Sequence, residues 1–379
     1  MSVVALTNGR VLLPKGPRDN VCVVIEGDRI AAIATEPPSG AELVDLAGGL
    51  LLPGFIDVQV NGGGGVLLND SPDVETLATM AAAHRRFGTT GLLPTLISDG
   101  PDTIAAAIAA TDAAIEAGVP GILGRHIEGP FLSPERHGIH DLNQIRRLDP
   151  VAIELLGSAR LGRTLVTLAP ECAHPGDIAA LVAAGVIVAA GHSQADYDTM
   201  TRAIAEGLSG VTHLFNAMPP LANRTPGLVG ATLDSDALYA GLIVDGHHLH
   251  PATVRLAWRV KAPGHRLMLV TDAMPSTGDD ADSFELQNRT IFRRDGRLID
   301  DHGTLAGSTL DMLAAVRNLI AQTGTSLAEA VAAATATPAR FLGLEGITGA
   351  IRPGLRADLV LTDEALLTVS RSWICGREK

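Results

Sequence analysis

The chain has 379 residues, which suits one large domain with a smaller companion or two ordinary domains. Apolar residues make up 46% of the sequence, enough for a sizeable core, so a folded chain is expected and not a globally disordered one. The net charge of −13 disfavours nucleic acid and anionic membranes as partners, because both are negatively charged. An anionic substrate would therefore need a local basic patch.

The cysteines and the N-terminal segment bear on the compartment. Cys22, Cys172 and Cys375 are scattered without a CxxC pair, so we expect neither a disulfide framework nor a zinc ribbon. The first residues lack a basic segment followed by a long apolar run, and no apolar stretch is long enough to span a bilayer. These features predict a soluble cytoplasmic protein with no membrane partner.

The predicted elements change character along the chain. Residues 1 to about 50 predict short strands, because β-branched runs alternate with Asn-Gly and Gly-Asp turns, and the C-terminal segment has the same pattern. From Gly54 onward, short apolar runs alternate with alanine-rich segments of helical period. The apolar runs are 55–60, 90–97, 121–128, 164–171, 185–192, 210–216, 239–246 and 266–273. The helical stretches are 72–87, 101–117, 174–184, 196–207, 250–260 and about 307–322.

Strand–helix alternation of this kind predicts right-handed crossovers and a parallel sheet covered on both faces. Eight repeats indicate an α/β fold with a (β/α)8 TIM-like barrel over residues 53–342. A doubly wound open sheet is the alternative. Residues 1–52 and 343–379 are predicted to form one small β-sandwich domain, since barrel closure brings the two chain ends together.

Polar residues gather where the predicted strands end. Glu128 ends the third strand, His192 ends the fifth, His213 lies in the sixth and Asp272 ends the eighth. In a barrel these ends form one face, on which active sites are built. One carboxylate and two imidazoles suit a catalytic divalent metal, and Asp272 would be the general base toward a water activated there. Singly, Glu128 or Asp272 could also serve a helix N-terminus, but their joint placement favours a site.

A set of longer motifs points to a family. The chain contains, in this order over about residues 53–340, PGFIDVQVNGGGG, HIEGPF, AGHSQADY, THLFNAMPP, NRTPGLVG, IVDGHHLH, LVTDAMPSTG and GTLAGST. In these motifs it resembles the N-acetylglucosamine-6-phosphate deacetylases of the amidohydrolase superfamily. The resemblance implies a hydrolase that converts N-acetyl-D-glucosamine 6-phosphate into D-glucosamine 6-phosphate and acetate, in amino-sugar catabolism or cell-wall recycling.

The resemblance also implies residue roles. Glu128, His192 and His213 match the metal ligands, and Asp272 matches the catalytic acid–base residue. His140 matches a histidine that contacts the substrate and helps to polarise the acetyl carbonyl. The other matching positions are substrate contacts, namely Ile139, Asn216, Ala217, Arg224, His248, Leu305, Ala306 and Gly307.

Two of these contacts match groups near the sugar phosphate. Arg224 and His248 suit a phosphate through charge-assisted hydrogen bonds. The resemblance implies that Arg224 is supplied across a dimer interface, so a homodimer is expected. Spacing alone leaves open which of His247, His248 and His250 points inward, and the resemblance selects His248.

The expected number of metal ions follows from two residues at the end of the first barrel strand, where this chain differs from many amidohydrolases. Many amidohydrolases carry a His-x-His pair there, whereas this chain has Gln59 and Asn61, which are poor zinc ligands. No lysine lies on a predicted barrel strand to bridge two ions, since Lys261 follows a predicted helix. We expect one divalent metal per subunit, with zinc favoured and iron, cobalt or manganese as alternatives.

Three other functions remain open from the sequence. An N-acetylgalactosamine-6-phosphate deacetylase would share every catalytic residue and differ only at the sugar 4-hydroxyl. A cyclic amidohydrolase of the hydantoinase or dihydroorotase type is disfavoured, because the histidine pair and the strand lysine are absent. A non-catalytic barrel that binds an amino-sugar phosphate is compatible with the fold alone.

Overall fold

The computed structural model describes residues 3–379. Its strands are, in chain order, β1 (Val3–Thr7), β2 (Arg10–Leu13), β3 (Gly16–Arg18), β4 (Cys22–Glu26), β5 (Arg29–Ala34), β6 (Glu42–Asp45), β7 (Leu50–Pro53), β8 (Phe55–Val60), β9 (Gly62–Gly63), β10 (Val66–Leu67), β11 (Thr89–Ile97), β12 (Gly124–Glu128), β13 (Arg163–Leu168), β14 (Ile187–Ala190), β15 (Gly210–Val211), β16 (Tyr239–Leu242), β17 (Leu267–Leu269), β18 (Ser283–Leu286), β19 (Arg289–Arg294), β20 (Arg297–Ile299), β21 (Leu359–Thr362), β22 (Val369–Ile374) and β23 (Arg377–Glu378).

The α-helices begin with N-terminal signals that the sequence carries. An aspartate caps several of them, as Asp73 and Asp311 do, and others start with proline. No helix within residues 3–379 combines the length and the apolar composition that crossing a membrane requires. The helices are α1 (Val74–Arg85), α2 (Pro101–Glu116), α3 (Pro150–Leu156), α4 (Asp177–Ala183), α5 (Tyr197–Ala205), α6 (Gly227–Asp234), α7 (Pro251–Lys261), α8 (Met312–Thr323), α9 (Leu327–Ala334) and α10 (Ala336–Phe341).

Eight strands form one parallel barrel. Their order is β8–β11–β12–β13–β14–β15–β16–β17. The barrel closes just beyond the last strand. There Val60 forms a parallel bridge with Ala273, and the backbone N–H of Asn61 donates to the Ala273 carbonyl at 2.9 Å. This confirms the predicted (β/α)8 barrel over the open sheet.

The first three barrel strands end where predicted, at Val60, Ile97 and Glu128, whereas the last five end earlier. β14 ends at Ala190 and β15 at Val211, so His192 and His213 lie just beyond strands that were expected to contain them. Asp272 similarly follows the end of β17 at Leu269. The physical reason is the backbone conformation, since φ is 49° at His192, 31° at His213 and 53° at Asp272. A left-handed residue cannot continue a regular strand, so only isolated bridges such as that between Val60 and Ala273 follow, and all three side chains line the cavity described below.

The two chain ends form a sandwich of two sheets, as predicted. One sheet has the order β5–β4–β1–β6 and the other β23–β22–β21–β7–β2–β3. Leu6 and Ile25 of the first sheet pack in one buried cluster with Leu51, Leu359 and Trp373 of the second. The C-terminal strands therefore complete a core that the N-terminal strands begin. The domain boundaries after residues 52 and 342 stay predictions.

A small antiparallel sheet of β18, β19 and β20 was not predicted. It is inserted between β17 and α8, and its first turn places Gln287 and Asn288 at φ of 48° and 64°. Ile291 of this sheet packs with Ile139 and Met274, which lie beside the barrel mouth. The Asp295-Gly296 pair was the available sequence signal for its second turn.

A buried ion pair joins the outer helices to the barrel wall. Arg125 on β12 has no exposed side-chain surface and donates to the Asp112 carboxylate on α2 at 2.8 Å. Asp112 also accepts the backbone N–H groups of Arg160 and Leu161, each at 3.0 Å. Burial would raise the pKa of Asp112, but these two hydrogen bonds and the Arg125 charge outweigh it and lower that pKa.

We expect Asp112→Ala to lower the free energy of unfolding by about 3–5 kcal/mol, because it leaves the Arg125 guanidinium buried and unpaired. Chemical denaturation measures this loss, and the double variant Asp112→Ala/Arg125→Met should recover most of it. Because the folded pKa is depressed, the Asp112 contribution is present above about pH 4 and is lost as the pH falls below that. A loss under about 1 kcal/mol in the single variant would contradict the expectation.

Candidate active site

The candidate active site is a cavity of about 490 Å³ at the end of the barrel where the parallel strands terminate. Carboxylates and imidazoles form its floor, and loops after several strands form its wall. Its lining residues are Asn61, Ile97, Glu128, Glu135, Arg136, Gly138, Ile139, His140, His192, His213, Asn216, Ala217, Ile243, His248, Asp272, Met274, Gly303, Thr304, Leu305 and Gly307.

Three donor atoms converge on one point of the floor. Glu128 Oε1 lies 3.1 Å from His213 Nε2 and 3.3 Å from His192 Nε2, and the two nitrogens lie 3.0 Å apart. Donors at these separations can each lie about 2 Å from a single ion, which is the usual ligand distance for zinc. The three side chains therefore fit a divalent metal, both in donor chemistry and in spacing.

The second nitrogen of His192 is also engaged. His192 Nδ1 lies 2.8 Å from the backbone carbonyl of Arg136, which can only accept a hydrogen bond. The ring therefore carries a proton on Nδ1 and keeps the Nε2 lone pair for a metal, as metal-bound histidines usually do. Glu128, His140 and His192 form a second possible ligand set, with donor atoms within 4.8 Å of one another.

The carboxylates of this floor differ in ionisation. Burial would raise the pKa of Glu128, but the imidazoles of His192 and His213 that contact it hold that pKa well below its usual range. At Asp272, burial and the negative charge of Glu128 raise the pKa to about 6. Pairs of carboxylates with separated pKa values are typical of sites that use acid–base chemistry.

Gln59 and Asn61 hold the two carboxylates. The Gln59 amide nitrogen lies 3.1 Å from Glu128 Oε1 and 3.1 Å from Asp272 Oδ1, and the Asn61 amide nitrogen donates to Asp272 Oδ1 at 2.7 Å. These two positions therefore present N–H donors to the carboxylates. Lys261 lies at the end of α7, away from any barrel strand.

The residues predicted to contact a substrate separate into three groups. The cavity is lined by most of them, namely Ile139, His140, Asn216, Ala217, His248, Leu305 and Gly307. Ala306 is fully buried and packs with the inserted sheet, so it supports the lining loop from behind. Arg224 is exposed on the loop before α6 and does not line the cavity of its own chain.

Sequence reasoning missed some residues of the site. Arg136 lines the cavity, and Ser98, directly after β11, contacts His140. Arg136 could have been noticed because it precedes the HGIH segment that contains His140. Ser98 follows a predicted strand end, which was the same signal that identified Glu128.

Comparisons with known proteins bear on what this site does. The chain matches the Amidohydrolase family over residues 50–374. It is 42% identical over 376 residues to an N-acetylgalactosamine-6-phosphate deacetylase of Shewanella sp. (strain ANA-3), covering 98% of this chain and 95% of that relative. It is 36% identical over 344 residues to an N-acetylglucosamine-6-phosphate deacetylase of Haemophilus influenzae, covering 89% and 90%. The crystal structure of N-acetylglucosamine-6-phosphate deacetylase from Pasteurella multocida is similar with a TM-score of 0.95 at 36% identity, covering 100% and 99%.

We expect Glu128→Gln to weaken divalent-metal binding by at least about tenfold, since it removes the only formal negative charge from the ligand triangle. Metal analysis after dialysis measures the change. Glu135→Gln, which alters a carboxylate at the cavity wall that bonds Ser133, is the matched control and should keep its metal. Equal metal content in the two variants would remove Glu128 from the ligand set.

Proposed function

This chain belongs to the amidohydrolase family, as its motifs predicted, and we propose that it removes the acetyl group from N-acetyl-D-glucosamine 6-phosphate. The products are D-glucosamine 6-phosphate and acetate. The observation that carries the proposal is one cavity that combines the Glu128, His192 and His213 triangle with Asp272. Relatives of similar length with this activity in their names support the choice of substrate.

In this proposal Glu128, His192 and His213 hold one divalent metal ion, and zinc is the proposed ion. Such an ion, when bound, lowers the pKa of water and polarises a carbonyl group. A single ion is supported by Gln59 and Asn61, which turn N–H donors toward the carboxylates.

Asp272 is the proposed general base and acid. Its Oδ1 accepts the amide donors of Gln59 and Asn61, which orients the carboxylate and leaves Oδ2 for proton transfer. Asp272 takes a proton from the attacking water while the water oxygen bonds to the acetyl carbon. The same group then delivers the proton to the leaving nitrogen as the amide bond breaks, so that a free amine and acetate result.

The other cavity residues bind the substrate and stabilise charge. His140 donates a hydrogen bond to the acetyl oxygen, on which negative charge develops during the attack. His248 binds the phosphate through Nε2, because its Nδ1 is engaged by Asp245 at 2.6 Å. The sugar lies against the other predicted contacts that line the cavity, Ile139, Asn216, Ala217, Leu305 and Gly307, and Ala306 supports their loop from behind.

Arg224 supports an assembly of two chains. It is exposed, and we propose that it reaches the phosphate bound in the other subunit of a homodimer. The chain's net charge of −13 makes such a local cation useful for a dianionic substrate. A cytoplasmic location is proposed with this function, since a phosphorylated sugar does not cross a membrane unaided.

Replacing Asp272 by Asn should lower kcat by at least about 100-fold, because the amide cannot accept the proton. The bound metal should stay near the unaltered level, since Asp272 is outside the ligand triangle. Acetate release and metal analysis on the same preparation measure both effects. Retained turnover in this variant would contradict the assignment of Asp272 as the general base.

A second candidate substrate is N-acetylgalactosamine 6-phosphate. The relative with 42% identity is named for this epimer, which differs only at the sugar 4-hydroxyl. The two functions therefore share the mechanism above and differ in how the cavity wall contacts that hydroxyl.

Acetate release from the two epimers, with and without a chelator, separates the candidates. We expect the larger kcat/KM on N-acetylglucosamine 6-phosphate, a loss of at least about tenfold with the chelator, and recovery with zinc. The opposite epimer preference would establish the second candidate. Activity on neither epimer in the metal-loaded protein would overturn the proposed function.

A further inference from the structure

Ser98 contacts the His140 ring at a position that determines which ring nitrogen carries the proton. It follows β11, is 1% exposed, and lies behind His140, which lines the cavity. Its backbone N–H donates to His140 Nδ1 at 3.2 Å, and its Oγ lies 2.7 Å from the same nitrogen. A Cβ on Gly129 would lie 2.3 Å from Ser98 Oγ, so the absence of a side chain there gives Ser98 its place.

The direction of the backbone hydrogen bond determines the tautomer. A backbone N–H can only donate, so His140 Nδ1 must present a lone pair. A neutral His140 then carries its proton on Nε2, where it is a hydrogen-bond donor and not a metal ligand. His192 is the reverse case, because its Nδ1 faces a backbone carbonyl and its Nε2 keeps the lone pair.

Gln287 ties both sides of His140 to the inserted sheet. Its Nε2 donates to the Ser98 carbonyl at 2.8 Å, and its Oε1 accepts the Asp141 backbone N–H at 3.1 Å. Gln287, in the turn between β18 and β19, therefore holds both Ser98, which contacts the His140 ring, and Asp141, which follows His140 in the chain.

We infer that Ser98 and Gln287 are positioning residues that hold His140 as the Nε2–H tautomer, so that it donates to the acyl oxygen of the substrate instead of ligating the metal. The acyl oxygen in this statement rests on the proposed function. The tautomer does not, because the contacts that set it are present in the protein without substrate. Of the two possible ligand sets, the inference selects the one with His213.

Nitrogen-15 NMR of the zinc-loaded protein tests the tautomer directly. Long-range proton–nitrogen spectra of histidine-labelled protein, with His140 assigned from a His140→Asn variant, report which nitrogen carries the proton. We expect the Nε2 resonance to be that of a protonated nitrogen and the Nδ1 resonance that of an unprotonated one. A proton on Nδ1, or metal coupling at Nε2 after substitution with cadmium-113, would overturn the inference.

Kinetics test the consequence for catalysis. Ser98→Ala removes the hydroxyl contact and should lower kcat on the order of 10- to 100-fold, with KM within about twofold and metal content unchanged. Ser98→Thr keeps the hydroxyl and should retain most of kcat. Thr89→Val is the matched control, because the Thr89 hydroxyl is buried without a hydrogen-bond partner in the described chain.

Substitution of Gln287 provides a second kinetic test that does not alter the packing around Gly129. Gln287→Leu removes both contacts and should lower kcat by about tenfold or more. Thr290→Val, which removes a hydrogen bond to Glu285 within the same hairpin, should leave kcat unchanged. Unaltered kcat in both Ser98→Ala and Gln287→Leu would refute the positioning role. Absence of deacetylation in the unaltered protein would instead refute the proposed function and leave the NMR result standing.

Discussion

The hydrogen bonds that close the barrel between its first and eighth strands are the constraint on which the site depends. The Asp272 N–H donates to the Gln59 carbonyl at 3.0 Å, and the Asn61 N–H to the Ala273 carbonyl at 2.9 Å. This register places the amide groups of Gln59 and Asn61 against the Asp272 carboxylate. A shift of one residue would turn those side chains away from the Asp272 carboxylate, since side chains alternate along a strand.

Burying charge imposes the next constraint. Glu128, His192 and His213 are 2%, 6% and 4% exposed, and an isolated buried charge costs several kcal/mol. The carboxylates are therefore surrounded by imidazole and side-chain amide groups. In the proposed function, a metal cation completes the ligand triangle. The buried Asp112 carboxylate in the barrel wall is satisfied in the same way, by the Arg125 charge and by backbone N–H groups.

Backbone groups decide what otherwise identical side chains can do in this cavity. His192 faces a carbonyl and His140 faces an N–H, so the two neighbouring rings, with centroids 4.5 Å apart, carry their protons on opposite nitrogens. His192 can therefore ligate a metal through Nε2, and His140 can donate a hydrogen bond from Nε2. The inserted sheet contributes through Gln287, although it supplies no residue of the ligand triangle.

The sequence by itself determined the barrel, the sandwich made from both chain ends, the family, and the strand-end location of Glu128, His192, His213 and Asp272. Apolar periodicity and motif order are local patterns, which a sequence displays directly. Only the tertiary structure decided the register of closure, the left-handed turns that end the strands before His192 and His213, and the contact between Gln287 and Ser98. That contact joins residues 189 positions apart, and the bond between Ser98 and His140 spans 42. No local pattern encodes such contacts, because they exist only once the loops of different barrel strands meet at one mouth.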